Sequence, residues 1–251
     1  MINPFADIAT GTSANTPSQP AVGLRWRVFL VALALSVGLM FLAWPAAAQV
    51  QIVDADAGIP DYSAYYQALE AREAGDNNLA FRLFTEAAEN GLAIAQYNLG
   101  VMYYSGSGGA TQDYYKAYQW TRAAAEQGHV NAMLNLGSLY YNQLGVNPSW
   151  MDFWPMTRIL QDSNFTEAAN WYALAAEYDN GEAQLRLATL YEEGAGVDQD
   201  KVEALKWALL ARDNEVEAAV DLVSSLQSGM NTEQINRAQQ AYARWVLEYR
   251  G

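Results

Sequence analysis

Four stretches of the chain align with one another without a gap, and this self-similarity restricts the fold more than any other feature. They are LAFRLFTEAAENGLAIAQYNLGVMYY (79–104), KAYQWTRAAAEQGHVNAMLNLGSLYY (116–141), EAANWYALAAEYDNGEAQLRLATLYE (167–192) and, more weakly, EALKWALLARDNEVEAAVDLVSSLQS (203–228). Ala80, Ala117, Ala168 and Ala204 coincide, as do Ala95, Ala132, Ala183 and Ala219 fifteen residues further on. Leu83, Trp120, Trp171 and Trp207 form another column, and Leu99, Leu136, Leu187 and Val223 a fourth. A unit this short cannot bury its apolar face alone, so the copies must stack.

Each copy reads as helix, tight turn, helix. Small and large apolar residues recur at helical spacing in both halves: Ala117, Trp120 and Ala124, then Ala132, Leu136, Leu139 and Tyr140. Gly91 and Gly128 stand where a residue with positive φ caps the first helix. The third copy carries its glycine later, at Gly181, and the fourth has none, reading Asp213-Asn214 instead. Gly106, Gly108 and Gly109 end one second helix, and Gly194 and Gly196 another. Alanine columns allow close helix approach, and the tryptophan or leucine column fills what remains.

The segments AQYNLGVMYYSGSGGATQDYYKAYQWTRAAAEQG (95–128) and AQLRLATLYEEGAGVDQDKVEALKWALLA (183–211), with 37 residues from Gly100 to Gly137, resemble the Sel1-like repeat, a relative of the tetratricopeptide repeat. The resemblance spans about residues 77–228. It implies an all-α, right-handed superhelical solenoid of antiparallel helix pairs, about five in number, serving as a scaffold for protein partners. Some exported members carry a disulfide within each repeat; this chain has no cysteine and departs from them.

Around this core the sequence divides readily. Arg25 and Arg27 precede the apolar run Val28–Trp44, which ends in Pro45-Ala46-Ala47-Ala48. That grammar makes residues 1–48 a signal peptide cut after Ala48, or else an uncleaved membrane anchor; either way the remainder is exported to the periplasm or cell envelope. Residues 49–60 read as a linker, 61–231 as the solenoid and 232–251 as a C-terminal capping helix, with Thr232 as its N-cap.

One interruption stands out. Gly100 to Ala117 is 17 residues, but Gly137 to Ala168 is 31, which places an insertion near 146–162. It is rich in Trp150, Met151, Phe153, Trp154 and Met156, residue types favoured at binding cores. Such a loop seals a groove between helices, contacts a partner or touches a membrane surface. The second candidate surface is the concave face lined by the second helices, where Tyr104 and Tyr141 follow the column tyrosines Tyr103 and Tyr140. The expected partner-binding residues are therefore Trp150, Phe153, Trp154, Met156, Tyr104 and Tyr141.

Chemistry is poorly supplied. With no cysteine and one histidine, the common zinc sites and Cys-His catalysis are excluded. His129, one residue past the Gly128 turn, reads as a solvated turn residue. Glu86, Glu89, Glu126, Glu167, Glu192 and Glu193 fall on helix surfaces or ends, so a paired-carboxylate hydrolase is the weakest reading. Neither a metal, a cofactor nor a catalytic residue is expected. A net charge of -14 disfavours nucleic acid and anionic lipid and favours a basic protein partner. Membrane association would come only through a retained leader. The expectation is an exported, non-enzymatic scaffold or adaptor; the alternative is an accessory structural subunit of a membrane-associated complex.

Overall fold

The computed structural model describes residues 61–146 and 157–251, with side chains in the second segment from residue 162 onward. These residues form helices α1 (Ser63–Glu73), α2 (Asn77–Glu89), α3 (Ala93–Ser105), α4 (Tyr114–Glu126) and α5 (Val130–Tyr141). They continue as α6 (Thr157–Glu177), α7 (Gly181–Glu193), α8 (Lys201–Asp213), α9 (Glu217–Ser228) and α10 (Thr232–Tyr249). From α1 to α9 each helix packs on the next, giving the all-α solenoid of stacked pairs, with no strand among the described residues. Residues 1–60, which hold the expected leader and linker, lie outside the described residues. No described helix is long and apolar enough to cross a membrane.

The repeat columns are the core. Ala117, Ala132, Ala168, Ala183, Ala204 and Ala219 are completely buried, as are Leu99 and Leu136. Each such leucine contributes about 1.5–3 kcal/mol relative to exposure. Helix approach is closest where the glycine column meets the following helix. A Cβ on Gly100 would lie 2.5 Å from the Thr121 hydroxyl, and one on Gly137 would lie 2.7 Å from the Tyr172 ring. Thr121 and Tyr172 occupy one column, four residues after the alanine, so the glycines make room for larger partners on the facing helix. The buried Tyr172 hydroxyl donates to Ser138 Oγ at 3.0 Å, which satisfies it inside that contact.

The tight turns inside the four copies share one backbone, although only two of them have glycine. In each, the middle residue donates its N–H three residues back and the next donates five residues back, as in Gly91 to Ala88 and Leu92 to Ala87. Gly91 and Gly128 take φ of 86° and 89°, while Asp179 and Glu215 take the left-handed conformation at 61°. Stacking therefore imposes the turn even on residues for which it costs about 1–2 kcal/mol. Gly181 does a different job from the one its sequence position suggested. It opens α7 with ordinary φ, and a Cβ there would strike Asn214 Cβ at 2.7 Å and Val216 Cγ2 at 2.9 Å.

Polar rungs tie successive turns together. Buried Gln96 donates to the Ala88 carbonyl at 3.1 Å and accepts from Gln127 at 2.6 Å. The corresponding Gln184 donates to the Ala176 carbonyl at 3.2 Å and accepts from Asn214 at 2.9 Å. Between them the same two positions are Met133 and Tyr178, an apolar version.

At the C-terminal end α10 lies against α8, Trp245 meeting Trp207 edge-on at 6.2 Å. Its N-cap is Asn231 rather than Thr232, in a reciprocal capping box with Gln234. Asn231 takes the extended cap conformation, φ -83° and ψ 166°, one residue ahead of the sequence expectation. Arg250 then reaches back to Asp179 at 2.6 and 2.8 Å and to Asn214 at 3.0 Å, tying the chain's end to two turns.

Candidate functional site

The loops joining the second helix of one block to the first helix of the next decide where an added segment can emerge. Two follow a common plan. Gly106 and Gly194 end α3 and α7 in the left-handed conformation. Gln112 and Gln199 donate to the carbonyls of Tyr104 and Glu192 at 2.9 and 2.6 Å. Asp113 and Asp200 then cap α4 and α8, accepting N–H groups of the first turn. In each loop a glycine presses on an earlier helix, Gly109 at the first residue of α2 and Gly196 within α6. A Cβ on Gly109 would lie 2.9 Å from the Asn77 carbonyl oxygen, and one on Gly196 would overlap the Phe165 carbonyl.

The loop after α5 starts the same way and then departs. Gly145, φ 69°, seats against Tyr114 as Gly109 does on Asn77, and a Cβ there would overlap the Tyr114 carbonyl. Residues 147–156 follow, and with them Trp150, Phe153, Trp154 and Met156, all outside the described residues. Part of the insertion is helical. By repeat position α6 should open at Phe165, as α4 opens at Tyr114, but it begins at Thr157. The eight extra residues add about 12 Å of helix at 1.5 Å each.

Tyr104 and Tyr141 bracket this departure. Tyr104, on the last turn of α3, packs its ring on Tyr114 at 5.5 Å and 57°. Tyr141, in the same column one copy later, packs on Phe165 at 5.3 Å and 57°. Both tyrosines are half-buried, while Tyr114 and its neighbour Tyr115 are 36% and 54% exposed. Thus one candidate tyrosine supports the helix start that Gly145 rests on, just before the insertion. The other holds the helix that leads out of it. Burial raises the pKa of both, with Tyr114 adding at Tyr104 and Glu193 at Tyr141, so both remain neutral donors.

Tyr114 and Phe165 were not singled out from the sequence. Both stand three residues before an alanine of the first column, so the signal was a shared aromatic position. In the third such loop the two places are Glu192 and Lys201. The column tyrosines Tyr103 and Tyr140 are half-buried and make T-shaped pairs with Phe81 and Tyr118, each at 5.7 Å. Tyr103 and Phe81 also line a cleft of about 260 Å³ with Gln112, Asp113 and Lys116.

His129 is not the solvated turn residue its position suggested. It caps α5, Nδ1 accepting the Ala132 N–H at 3.2 Å, and stacks on Tyr97 at 4.5 Å and 22°. Its surroundings hold its pKa below the usual 6.5, burial disfavouring the imidazolium. The turn is exposed at Gly128 but folds the next side chain back against α3. Of the acids assigned to surfaces, Glu86, Glu89, Glu126, Glu167 and Glu193 are exposed and Glu192 is half-buried.

The family model described as Sel1 repeat matches residues 64–92, 93–129, 130–149, 159–178 and 181–215. Among solved structures, a Sel1 repeat protein from Oxalobacter formigenes is 31% identical, with 57% of this chain and 95% of that one covered and a TM-score of 0.47. A protective antigen of uropathogenic Escherichia coli strains displaying an SLR fold is 22% identical, with a TM-score of 0.41. The match covers 68% of this chain and spans 41% of that protein. No curated protein matches the chain.

Proposed function

The chain belongs to the Sel1 repeat family, and on that premise we propose that it is an exported, non-enzymatic scaffold or adaptor of the bacterial cell envelope. It holds a protein partner where the repeat is interrupted, through Tyr104, Tyr141 and the aromatic insertion at 146–162. Sel1 repeats generally mediate protein–protein interaction. The observation that carries the reading is the pair of matched aromatic contacts, Tyr104 on Tyr114 and Tyr141 on Phe165, at the two roots of the insertion. Aromatic and methionine side chains concentrated there supply the large, low-entropy contact area of a binding centre. The excess of acidic over basic side chains, 28 against 14, favours a basic partner surface.

Replacing Trp150, Phe153 and Trp154 together with alanine tests the reading. Partner capture should fall at least ten-fold while helicity by circular dichroism stays unchanged. If helicity collapses with capture, the insertion is part of the core and the contact reading fails. Export is tested separately: the mature chain should begin at Gln49, and a retained leader would favour the accessory membrane-complex subunit instead.

A further inference from the structure

The way α10 sits on α8 shows what the outer face of a first helix can hold. Trp207 meets Trp245 of α10, and Asp213, six residues on, accepts the Tyr242 hydroxyl. Leu210, midway between, is completely buried. Its column is open elsewhere, exposed at Glu86 and Leu174 and half-buried at Ala123, which identifies α10 as its cover. The docking surface is thus Trp, Leu and an acid at i, i+3 and i+6.

Helix α6 repeats that surface in the same columns: Trp171, Leu174 and Glu177. Helix α4 has Trp120, Ala123 and Glu126, with the acid engaged by Arg122 at 2.7 Å, and α2 has Leu83, Glu86 and Glu89. On α6 the surface is uncovered: Leu174 is 41% exposed and Tyr178, one turn beyond, is 63% exposed. It also runs into the occupied site. Tyr249 of α10, stacked on Trp245 at 4.9 Å and 53% exposed, feels the Glu177 carboxylate.

We propose that Trp171, Leu174 and Glu177 of α6 form a second helix-docking site, taken by an amphipathic helix of a partner protein that carries α10's chemistry. That chemistry is a tyrosine and a tryptophan three residues apart on one face, the tyrosine hydroxyl reaching the acid. Another copy's α10 is a poor occupant. It is already held by its capping box, the Trp207 contact, Asp213 and the Arg250 cluster. Parallel helices in contact lie 8–10 Å apart, so the incoming helix would lie beside α10. The site is separate from the insertion and does not depend on the function proposed above.

A fluorescent peptide of residues 231–251 is the probe, titrated against the full-length chain and followed by anisotropy. Saturable one-to-one binding is expected. It should weaken at least ten-fold in Leu174→Arg, a change on an exposed side chain that leaves the fold intact by circular dichroism. It should weaken similarly for a peptide with Trp245→Ala, and remain unchanged in Leu247→Arg of the chain. Absence of saturable binding overturns the proposal. So does binding indifferent to Leu174→Arg, which would report exchange with the resident α10. Self-association of the chain abolished by Leu174→Arg would replace the partner helix with a second copy and overturn the assigned occupant.

Discussion

The loops after α3 and α7 differ from the loop after α5 in a way that shows which contact the three have in common. The first two share a left-handed glycine, a glutamine bonded to the last turn and an aspartate cap. The third replaces the left-handed glycine with Gln143, φ 57°, and sends out the insertion where the other two place their glutamine and aspartate. Yet Gly145 keeps the one contact that seats a loop on an earlier helix. All three loops thus keep the glycine seat, and the loop after α5 departs only beyond it.

The strongest way to break this comparison is to fill the seats. Gly145→Val and Gly196→Val each combine positive φ with overlap on a carbonyl and should lose roughly 3 kcal/mol or more, read from denaturant midpoints. Gly91→Ala and Gly128→Ala, where nothing lies within 4 Å, should cost only about 1 kcal/mol for the conformation itself. Equal losses at all four would show that the seats carry no stacking load.

The tight turns sharpen it further. Asp179 accepts from Gln184, Asn214 and Arg250. Burial pulls its pKa up, but these hydrogen bonds outweigh that and leave it below 3.8. Asp179→Gly relieves the left-handed backbone and removes the cluster, for a net loss of about 1 kcal/mol after discounting for solvent. Glu215→Gly relieves the same backbone without such a cluster and should stabilise by about 0.5 kcal/mol. A loss at Glu215 as large as at Asp179 would contradict the assignment.

His129 supplies a pH dependence. Its folded pKa lies below 6.5, so the unfolded chain takes up the proton first. The stability it confers is complete above about pH 6.5 and is lost as pH falls towards the folded value. His129→Asn keeps a cap acceptor and should flatten that part of the melting-temperature profile. An unchanged slope would assign the dependence to other groups. The smallest losses are at the regular loops, where the exposed Gln112 and Gln199 bonds make Gln112→Ala and Gln199→Ala each cost about 0.5 kcal/mol, in agreement with one another.

Much of this fold was legible because stacked repeats write their core as columns. Ala80, Trp120, Leu136 and their equivalents located α2 through α9 before any geometry was known. The columns could not show that Asp179 and Glu215 adopt the left-handed turn. That conformation is imposed by the neighbouring helices, and reading for glycine looks only at intrinsic preference. Nor could they show His129 folding back on Tyr97, a contact between different copies. Of the candidate site, Tyr104 and Tyr141 stood out as positions, but the rings they pack on, Tyr114 and Phe165, were hidden by the insertion that shifts one of them. The glycine seats were read only as helix stops, because a close approach to a distant carbonyl leaves no local pattern.

The most direct test of partner binding at the interrupted repeat is crosslinking capture in the native envelope, comparing the full chain with one lacking residues 149–162. Both should be folded, since Gly145 on Tyr114 and Phe165 on Tyr141 lie outside the deletion. One enriched protein, captured by the full chain and lost on deletion, is the predicted result. Equal capture by both chains would contradict the account and move binding off the insertion.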